Sequence, residues 1–324
     1  MMFKRKWTGI IVGSMLLALT ALLGVLKGSV SIDFSALTDT DKNILFYVRV
    51  PRVFLSGLVG AALSLSGVLF QYVMKNPLAD SFTTGVSASA AMGAVVAIMT
   101  GLTGLVPLFA FVAGVIGLFA VYRISTVAGR VQPITMLLAG IVVSTFSSAT
   151  ISFMKYLSDD AVSSIVFWLM GGFQAATFGK DLVLLFALLL VWLLIRREYM
   201  ALDIICFDDK TARASGVDVD RLRKVSFLVA ALLTAFSVGY AGIIAFVGLI
   251  VPHVLRLVGF RKADELVPMS MVTGAVFMIL NDLVSRTLLP EGQELPVGII
   301  TSSLGGGFFL YILVKRKKEL HYFA

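Results

Sequence analysis

Charged residues are scarce in this chain of 324 residues. Its 27 Lys and Arg and 19 Asp and Glu make up 14% of the sequence, whereas soluble domains carry about a quarter. Hydrophobic residues make up 58%. The core of a soluble protein cannot bury this many apolar side chains, so many of them must face membrane lipid. The composition therefore predicts a membrane protein, and its apolar runs, which are long enough for spanning helices, predict that it is all-α.

Cysteine and histidine are almost absent, with one cysteine, Cys206, and two histidines. A single cysteine excludes an intrachain disulfide and a cysteine metal cluster. The chain also lacks the phosphate-binding pattern G-x-x-x-x-G-K-[ST], the zinc-protease pattern H-E-x-x-H and the nucleophile elbow G-x-S-x-G. We therefore expect a chain that is not an enzyme, does not hydrolyse ATP through that loop and carries no cofactor.

The basic excess has two interpretations. A net charge of +8 is one signature of a nucleic-acid-binding protein. Here the basic residues stand in short groups between apolar runs, which is typical of the cytoplasmic loops of a membrane protein. We therefore expect membrane lipid, and no nucleic acid, among the partners.

Ten apolar runs are candidates for membrane spans, which need about 20 mostly apolar residues each. The first run has no small-residue cleavage site after it, so we interpret it as a retained helix and not as a secretory signal. The stretch 225–257 is too long for one crossing and contains glycines at which it can break. A further run, 161–173, is too short to cross. The ten runs are 7–27, 46–74, 84–100, 105–125, 134–156, 182–195, 225–245, 245–257, 266–289 and 297–314.

The distribution of Lys and Arg predicts the orientation of these spans. With the N-terminus inside and alternating crossings, the inner loops hold most of the 27 basic residues. This bias favours an even number of crossings with both termini in the cytoplasm. The outer set contains only Lys27, Lys42, Arg49, Arg52, Lys155, Lys180 and Arg286.

The longest inner loop, about 198–222, has the signals of a short helix. Asp208 can cap a helix start, where an acid is favoured, and Gly216 suits the left-handed residue after a helix end. A capped, charged helix between two spans is what a docking surface needs. An ordinary connector is an equally weighted alternative on these residues alone.

Polar residues inside the spans have structural explanations as well as functional ones. Asp282 is the clear acid at depth, and it lies one helical turn before Arg286, so an i, i+4 ion pair accounts for it without a proton relay. Ser144, Ser148 and Ser152 share one face of the run 134–156. They could line a polar pathway, although helix packing explains the same spacing and is slightly favoured.

Five motifs in order along the chain resemble the permease family of bacterial iron-siderophore, haem and cobalamin importers, a branch of the ATP-binding-cassette (ABC) transporters. Each motif is weak alone, but five at the right intervals cover nearly the whole chain. They are Arg-Val-Pro-Arg at 49–52, the Gly- and Ser-rich run at 60–71, Asn-Pro-Leu-Ala-Asp at 76–80, Phe-Val-Gly-Leu-Ile-Val-Pro-His at 246–253 and Glu-Leu-Pro-Val-Gly at 294–298.

The resemblance implies one transmembrane domain, 1–324, of about ten helices with the type II ABC importer permease fold. It also implies a dimer, with the same chain or a related one, two ATP-binding subunits on the cytoplasmic face and an external substrate-binding protein. The location would be a bacterial cell (inner) membrane and the cargo an iron-siderophore or related metal chelate. Haem and cobalamin are alternative cargoes, and a stand-alone secondary carrier is the rival of another class.

The resemblance also implies roles for named residues. Arg49, Arg52 and Arg286 match external arginines that meet acidic residues of the binding protein, while anchoring to lipid headgroups is the alternative for each. The loop helix matches the segment that docks on the ATPase and becomes the favoured interpretation. The coupling residues would be Asp208, Asp209, Lys210, Ala212, Arg213 and Gly216.

Overall fold

The protein is almost entirely helical. The computed structural model describes residues 2–127, 130–158, 161–206, 208–290 and 292–320. These ranges also contain a π-helical segment, Ile44–Arg49, a 3-10 turn, Thr103–Leu105, and an antiparallel pair of short strands, β1 (Thr126–Val127) and β2 (Arg130–Val131). The α-helices are α1 (Met2–Leu26), α2 (Asp39–Asn43), α3 (Val50–Met74), α4 (Val86–Met99), α5 (Val106–Ser125), α6 (Pro133–Leu157), α7 (Val162–Leu169), α8 (Phe178–Ile195), α9 (Tyr199–Ile205), α10 (Asp209–Ala214), α11 (Val219–Ala241), α12 (Val247–Leu257), α13 (Ala263–Thr287) and α14 (Val297–Leu320).

All ten predicted spans coincide with helices, but the helices differ in length. Within the described ranges, seven are long and apolar enough to cross a membrane, and three apolar helices are shorter, namely α4, α12 and the apolar part of α14. The run 161–173, predicted to be too short to cross, forms the eight-residue helix α7. An all-helical, multi-span architecture is therefore confirmed, while the count of ten crossings and the shared side of the two termini stay predictions.

Helix α3 is the centre of the packing. It is buried along nearly its whole length, and α13, α11, α12 and α8 surround it. Two of these neighbours approach α3 through glycines. A Cβ at Gly60 would overlap the backbone of Gly274 in α13, and a Cβ at Gly67 would overlap the backbone of Gly248 in α12. Such close backbone approach is how helices associate where lipid removes the hydrophobic driving force.

The long stretch 225–257 breaks after α11, as its glycines predicted. Gly242, the first residue of the break, has a φ of +69°, which is open to glycine and strained for most side chains. The segment that follows α7 is hydrogen-bonded to this break, because the Gly172 N–H donates to the Ala241 carbonyl at 2.8 Å. The first two N–H groups of α14 donate to the two carbonyls that follow α7, each at 3.1 Å. Backbone hydrogen bonds thus join three segments at this point.

The chain direction of the helices defines two ends of the molecule. At the first, α1 and α13 end and α3 begins, and Arg49, Arg52 and Arg286 lie here. We call it the arginine end. At the second, α3 ends and α11 and α13 begin, and the short helices α9 and α10 lie beside them. We call it the loop end.

Candidate functional site

The three arginines predicted to dock a binding protein are buried. Arg49, Arg52 and Arg286 are 4%, 5% and 2% exposed. A buried guanidinium must be paired and hydrogen-bonded, or it costs several kcal/mol. Their side chains therefore have structural partners within the chain, and a docking role stays a prediction that requires a partner to reach them.

Arg52 joins the start of α3 to the end of α13 and to the loop after it. Its Nε lies 3.0 Å from Asp282 Oδ1, and its Nη1 lies 2.8 and 3.0 Å from the two carboxylate oxygens of Glu294. The predicted pair within α13 is also present, since Arg286 Nε lies 3.1 Å from Asp282 Oδ2. One buried carboxylate thus serves two arginines, which fixes the relative position of the two helices.

Arg49 and Arg286 close the C-terminus of α1. The last four carbonyls of a helix lack partners inside it. Arg286 Nη1 donates to the Gly24 carbonyl at 3.1 Å, and Arg49 Nη1 donates to the carbonyls of Val25 and Leu26 at 3.2 and 2.9 Å. The remaining carbonyl, that of residue 23, accepts from the N–H of residue 27 at 2.9 Å. All four groups are satisfied, and the positive charges oppose the negative end of the helix dipole.

Glu294 is the acid of this network that lies outside the helices. Burial raises its pKa, but the positive charge of Arg52 and the hydrogen bonds from Arg52 and Ser29 outweigh burial, so its pKa lies below the ordinary value. Glu294 is therefore ionised at neutral pH. A cavity of about 210 Å³ adjoins the network and is lined by Gly28, Ser29, Val30, Ile44, Val48, Arg49, Arg52, Arg286 and Glu294.

At the loop end, the predicted short helix is present with both of its predicted ends. The Asp208 carboxylate accepts from the N–H groups of Lys210 and Thr211 at 3.0 and 3.2 Å, which is an N-cap. After α10, Gly216 has a φ of +82°, and the residue after it returns a hydrogen bond to the Ala212 carbonyl at 3.0 Å. This is the Schellman C-terminus. The local structure of the predicted coupling segment is confirmed, while its docking role stays a prediction.

Asp209 ties α10 to two long helices. Its carboxylate forms two hydrogen bonds with Arg223 of α11, at 2.7 and 2.8 Å, and an ion pair with Lys75 at the end of α3, at 2.7 Å. Burial alone would raise the pKa of Asp209, but the hydrogen bonds and charges of Arg223 and Lys75 prevail, and its pKa lies below the ordinary value. We call the contacts of Asp209 with Arg223 and Lys75 the clasp. The clasp is therefore charged at neutral pH and holds α10 against both helices.

Asp203 of α9 makes a second connection, to α3 and α13. Its Oδ1 accepts from the Tyr72 hydroxyl at 3.1 Å and from the Ala263 N–H at 2.8 Å. Ala263 opens α13, and Lys262 before it provides no side-chain cap. Asp203 thus caps a helix that lies 60 residues away, and burial raises its pKa. Together with Asp209, it makes the loop end one mechanical unit with α3, α11 and α13.

The other predicted coupling residues face two ways. Ala212 is fully buried beneath α10, which explains a small side chain there. Lys210 and Gly216 are exposed. Arg213 is also exposed, and its Nη2 lies 2.9 Å from Asp220 of α11. The outer side of α10 is consequently open to a partner, while its inner side is bound to the protein.

The three serines of α6 do not share one environment. Ser144 donates to the Phe82 carbonyl at 2.8 Å, which agrees with the packing interpretation. Ser148 and Ser152 lie on the exposed side of α6 in this single chain. Lining of a pathway by these residues stays a prediction.

Sequence reasoning missed Asp203, Lys75, Arg223 and Glu294 as partners in these networks. Asp203 stands alone in an otherwise apolar stretch, and no pattern ties it to α13. Glu294 lies 242 residues from Arg52. Its position in the Glu-Leu-Pro-Val-Gly motif was the one feature of the sequence that pointed to Glu294.

Known proteins resemble the chain over nearly its whole length. The model of the FecCD transport family matches residues 8–315. An uncharacterized ABC transporter permease protein of Bacillus subtilis, YvrB, is 34% identical over 338 aligned positions, which cover 97% of this chain and 96% of the relative. The cobalamin import system permease protein BtuC of Halobacterium salinarum is 37% identical, covering 86% of this chain and 75% of the relative.

A solved structure has the same architecture. It is described as an inward-facing conformation of an ABC transporter of metal-chelate type. The TM-score is 0.86 at 31% identity, and the match covers 94% of this chain and 98% of the other.

Proposed function

Because the chain belongs to the FecCD transport family, we propose that it is the membrane-spanning permease subunit of an ABC importer. The observation that carries the mechanism is the loop end, where a short capped helix is clamped to three long helices. When an ATP-binding subunit that contacts α10 changes shape, it can displace α3, α11 and α13 together. Coupling of this kind needs a segment that moves as a rigid lever. The chain supplies the pathway, and separate subunits bind and hydrolyse ATP. The proposal gives the chain itself no cofactor and no catalytic role.

The proposed topology places the loop end in the cytoplasm. Ten crossings then put both termini there, and residues 1–324 form one transmembrane domain with its coupling loop at about 198–222. The basic residues of the inner loops support this orientation. Seven long helices and three shorter apolar ones at the expected positions support the number of crossings. The location would be the bacterial cell membrane.

The proposed complex contains two permease chains, identical or related, two ATP-binding subunits and an external binding protein. Asp208, Asp209, Lys210, Ala212, Arg213 and Gly216 would form the contact with the ATPase through the exposed side of α10. The binding protein would dock at the arginine end. Because Arg49, Arg52 and Arg286 are buried, its acidic side chains would have to enter the cavity beside them. Ser148 and Ser152 would face the pathway between the two chains.

For the cargo, we propose an iron-siderophore or related metal chelate. The metal-chelate type of the structural relative supports this class. Cobalamin is the alternative that the Halobacterium relative supports, and haem is a third cargo of the same kind. All three are bulky, already chelated metals, so the pathway needs no metal ligands of its own.

Reconstitution tests the proposal. Liposomes that contain the chain with its ATP-binding subunits and binding protein should accumulate labelled ferric siderophore or cobalamin only when ATP is hydrolysed. Liposomes with the chain alone should accumulate neither. Uphill uptake by the chain alone would identify a secondary carrier and overturn the proposal.

Arg213→Glu, which breaks the pair with Asp220 and reverses a charge on the exposed side of α10, should lower uptake more than ATPase activity. Arg130→Glu is the control, because it reverses the charge of an exposed arginine that lies in β2, outside α10 and away from the arginine end. Equal effects of the two variants would contradict the coupling role.

A further inference from the structure

A recess of about 400 Å³ opens at the loop end, between the last residues of α8, the start of α9 and the start of α11. This is the space of roughly a dozen water molecules. Its lining has an apolar part, which includes Leu194 and Val225, and a charged part, which consists of Glu198, Asp218 and Arg221. A recess of this size and division suits an amphipathic molecule better than a single ion.

The recess crosses the boundary between two spans and the loop. Leu194 and Val225 lie inside the candidate spans of α8 and α11, and their side chains are 48% and 36% exposed. The bilayer hydrocarbon is the solvent for exposed apolar residues of a span. Glu198 follows the end of one span, and Asp218 precedes the start of the other. One part of the recess is therefore open to acyl chains, which a soluble subunit does not reach, and the other lies at the depth of lipid headgroups.

The charged side chains of the recess carry both signs and are not paired with one another. Within the described ranges, the carboxylate of Glu198 and the guanidinium of Arg221 have no hydrogen-bond or ion-pair partner. Asp218 uses Oδ1 to cap α11, where it accepts from the Arg221 N–H at 3.0 Å, and its second carboxylate oxygen is unpaired. Two acids and one base that share a recess without pairing favour an occupant that itself carries both charges.

These charges select a headgroup. A phosphate pairs with a guanidinium, and a primary ammonium donates up to three hydrogen bonds to carboxylates. The quaternary ammonium of choline has no N–H to donate. A phosphatidylglycerol headgroup has no positive charge and places a net negative charge beside Glu198 and Asp218. The recess therefore favours phosphatidylethanolamine over both of these lipids.

We propose that this protein binds one phosphatidylethanolamine molecule in the recess between α8 and α11. Arg221 pairs with the phosphate, Glu198 and Asp218 accept from the ammonium, and the acyl chains lie along the apolar part. Gly216 and Val217, which follow α10, also line the recess, so the lipid contacts the turn that ends α10. The site requires only that α8 and α11 cross the membrane, so it does not depend on the cargo or on ATP hydrolysis.

The first test measures lipid binding to the purified, delipidated chain in detergent by native mass spectrometry. Lipids with the same acyl chains and stepwise methylation of the amine isolate the headgroup, since each methyl group removes one N–H donor. Affinity for one tight site should fall from phosphatidylethanolamine through its monomethyl and dimethyl forms to phosphatidylcholine, by about tenfold or more in total. Equal affinity across the series, or tighter binding of phosphatidylglycerol, would overturn the proposal.

The second test separates the two halves of the headgroup. Glu198→Gln keeps the shape of the side chain without its charge and should weaken phosphatidylethanolamine binding about threefold to tenfold, with phosphatidylcholine binding unchanged. Arg221→Gln should weaken both lipids alike, because both carry the phosphate. Both variants should keep the Tm of the lipid-free chain, since neither side chain has a partner within the described ranges. No loss in either variant, or equal loss of both lipids in Glu198→Gln, would contradict the assigned contacts.

The third test locates the lipid. Phosphatidylethanolamine with a photoreactive group beside the glycerol should label peptides from 194–201 and 216–225 of the chain without its ATP-binding subunits. Excess phosphatidylethanolamine should suppress this labelling at least about tenfold more effectively than phosphatidylcholine. A preference for phosphatidylethanolamine with labelling confined to other peptides would refute the assignment to this recess.

Discussion

Replacement of Asp209 by Asn tests whether α10 is fastened to the long helices by charge. The change keeps the size of the side chain but removes the negative charge that holds Arg223 and Lys75. The Arg223 side chain is 3% exposed, and the Asp209 side chain is 34% exposed. The buried guanidinium would lose its counter-ion, while the partial exposure of Asp209 lets water recover part of the loss.

The expected cost follows from these exposures. Removal of one partner of a fully buried pair costs about 3–5 kcal/mol, and an exposed pair contributes about 0–1 kcal/mol. A clasp with one buried and one partly exposed partner lies between them, at about 2–3 kcal/mol. Since 1.4 kcal/mol is a factor of ten, the population in which α10 is detached should rise about 30- to 150-fold.

Hydrogen exchange measures this population directly. In nanodiscs at neutral pH, the amides of 209–217 should exchange about 30- to 150-fold faster in Asp209→Asn than in the unaltered chain. Asp208→Asn is the matched control, because the same chemical change at the neighbouring residue keeps an N-cap of equal quality. It should change exchange by less than about threefold. Unchanged protection in Asp209→Asn, or equal effects of the two variants, would refute the clasp.

Acid should remove the difference between Asp209→Asn and the unaltered chain. The pKa of Asp209 is lowered in the folded state, so the clasp contributes fully above the unfolded value of about 3.9. Its contribution is lost as pH falls through the lower folded value. The two proteins should therefore differ in Tm at pH 7, and the difference should begin to shrink only below about pH 4. A difference that persisted at low pH would mean that charge is not the cause.

Three further changes test the packing around this unit. Gly67→Ala should destabilise the protein by at least about 1–3 kcal/mol, because its Cβ would overlap the backbone of Gly248; Gly306→Ala, which meets no atom within 4 Å, should lower Tm much less. Gly216→Ala should cost about 1–2 kcal/mol through its positive φ and should speed exchange in α10. Tyr72→Phe should cost about 1 kcal/mol by removing the hydroxyl that donates to α9. Denaturant or thermal unfolding measures the loss of stability in all three variants. A variant that loses no stability would contradict the contact that it tests.

Local features were open to prediction because their causes lie within a few residues. The length of each apolar run predicts a helix in lipid, where every backbone group must be satisfied internally. The cap at Asp208, the left-handed Gly216 and the pair of Asp282 with Arg286 each involve residues less than two helical turns apart. All of these were predicted, and all are present.

The environment of the arginines was decided by the tertiary structure alone. The sequence places Arg49, Arg52 and Arg286 in loops or at helix ends, where exposure is the usual expectation. Burial follows from the meeting of α1, α3 and α13, since the open carbonyls of α1 and the carboxylate of Glu294 come from distant parts of the chain. Helix periodicity and capping residues do not predict such contacts between helices, because both depend only on the sequence of a single helix.

The loop end shows the same division. The sequence by itself predicted a short, capped and charged helix between two spans, beside the alternative of an ordinary connector. Only the folded chain decided that Asp209 and Asp203 fasten this segment to α3, α11 and α13. Each of these contacts joins side chains or backbone groups whose distance depends on how long helices pack, and that packing is set by close backbone approach at glycines such as Gly60 and Gly67.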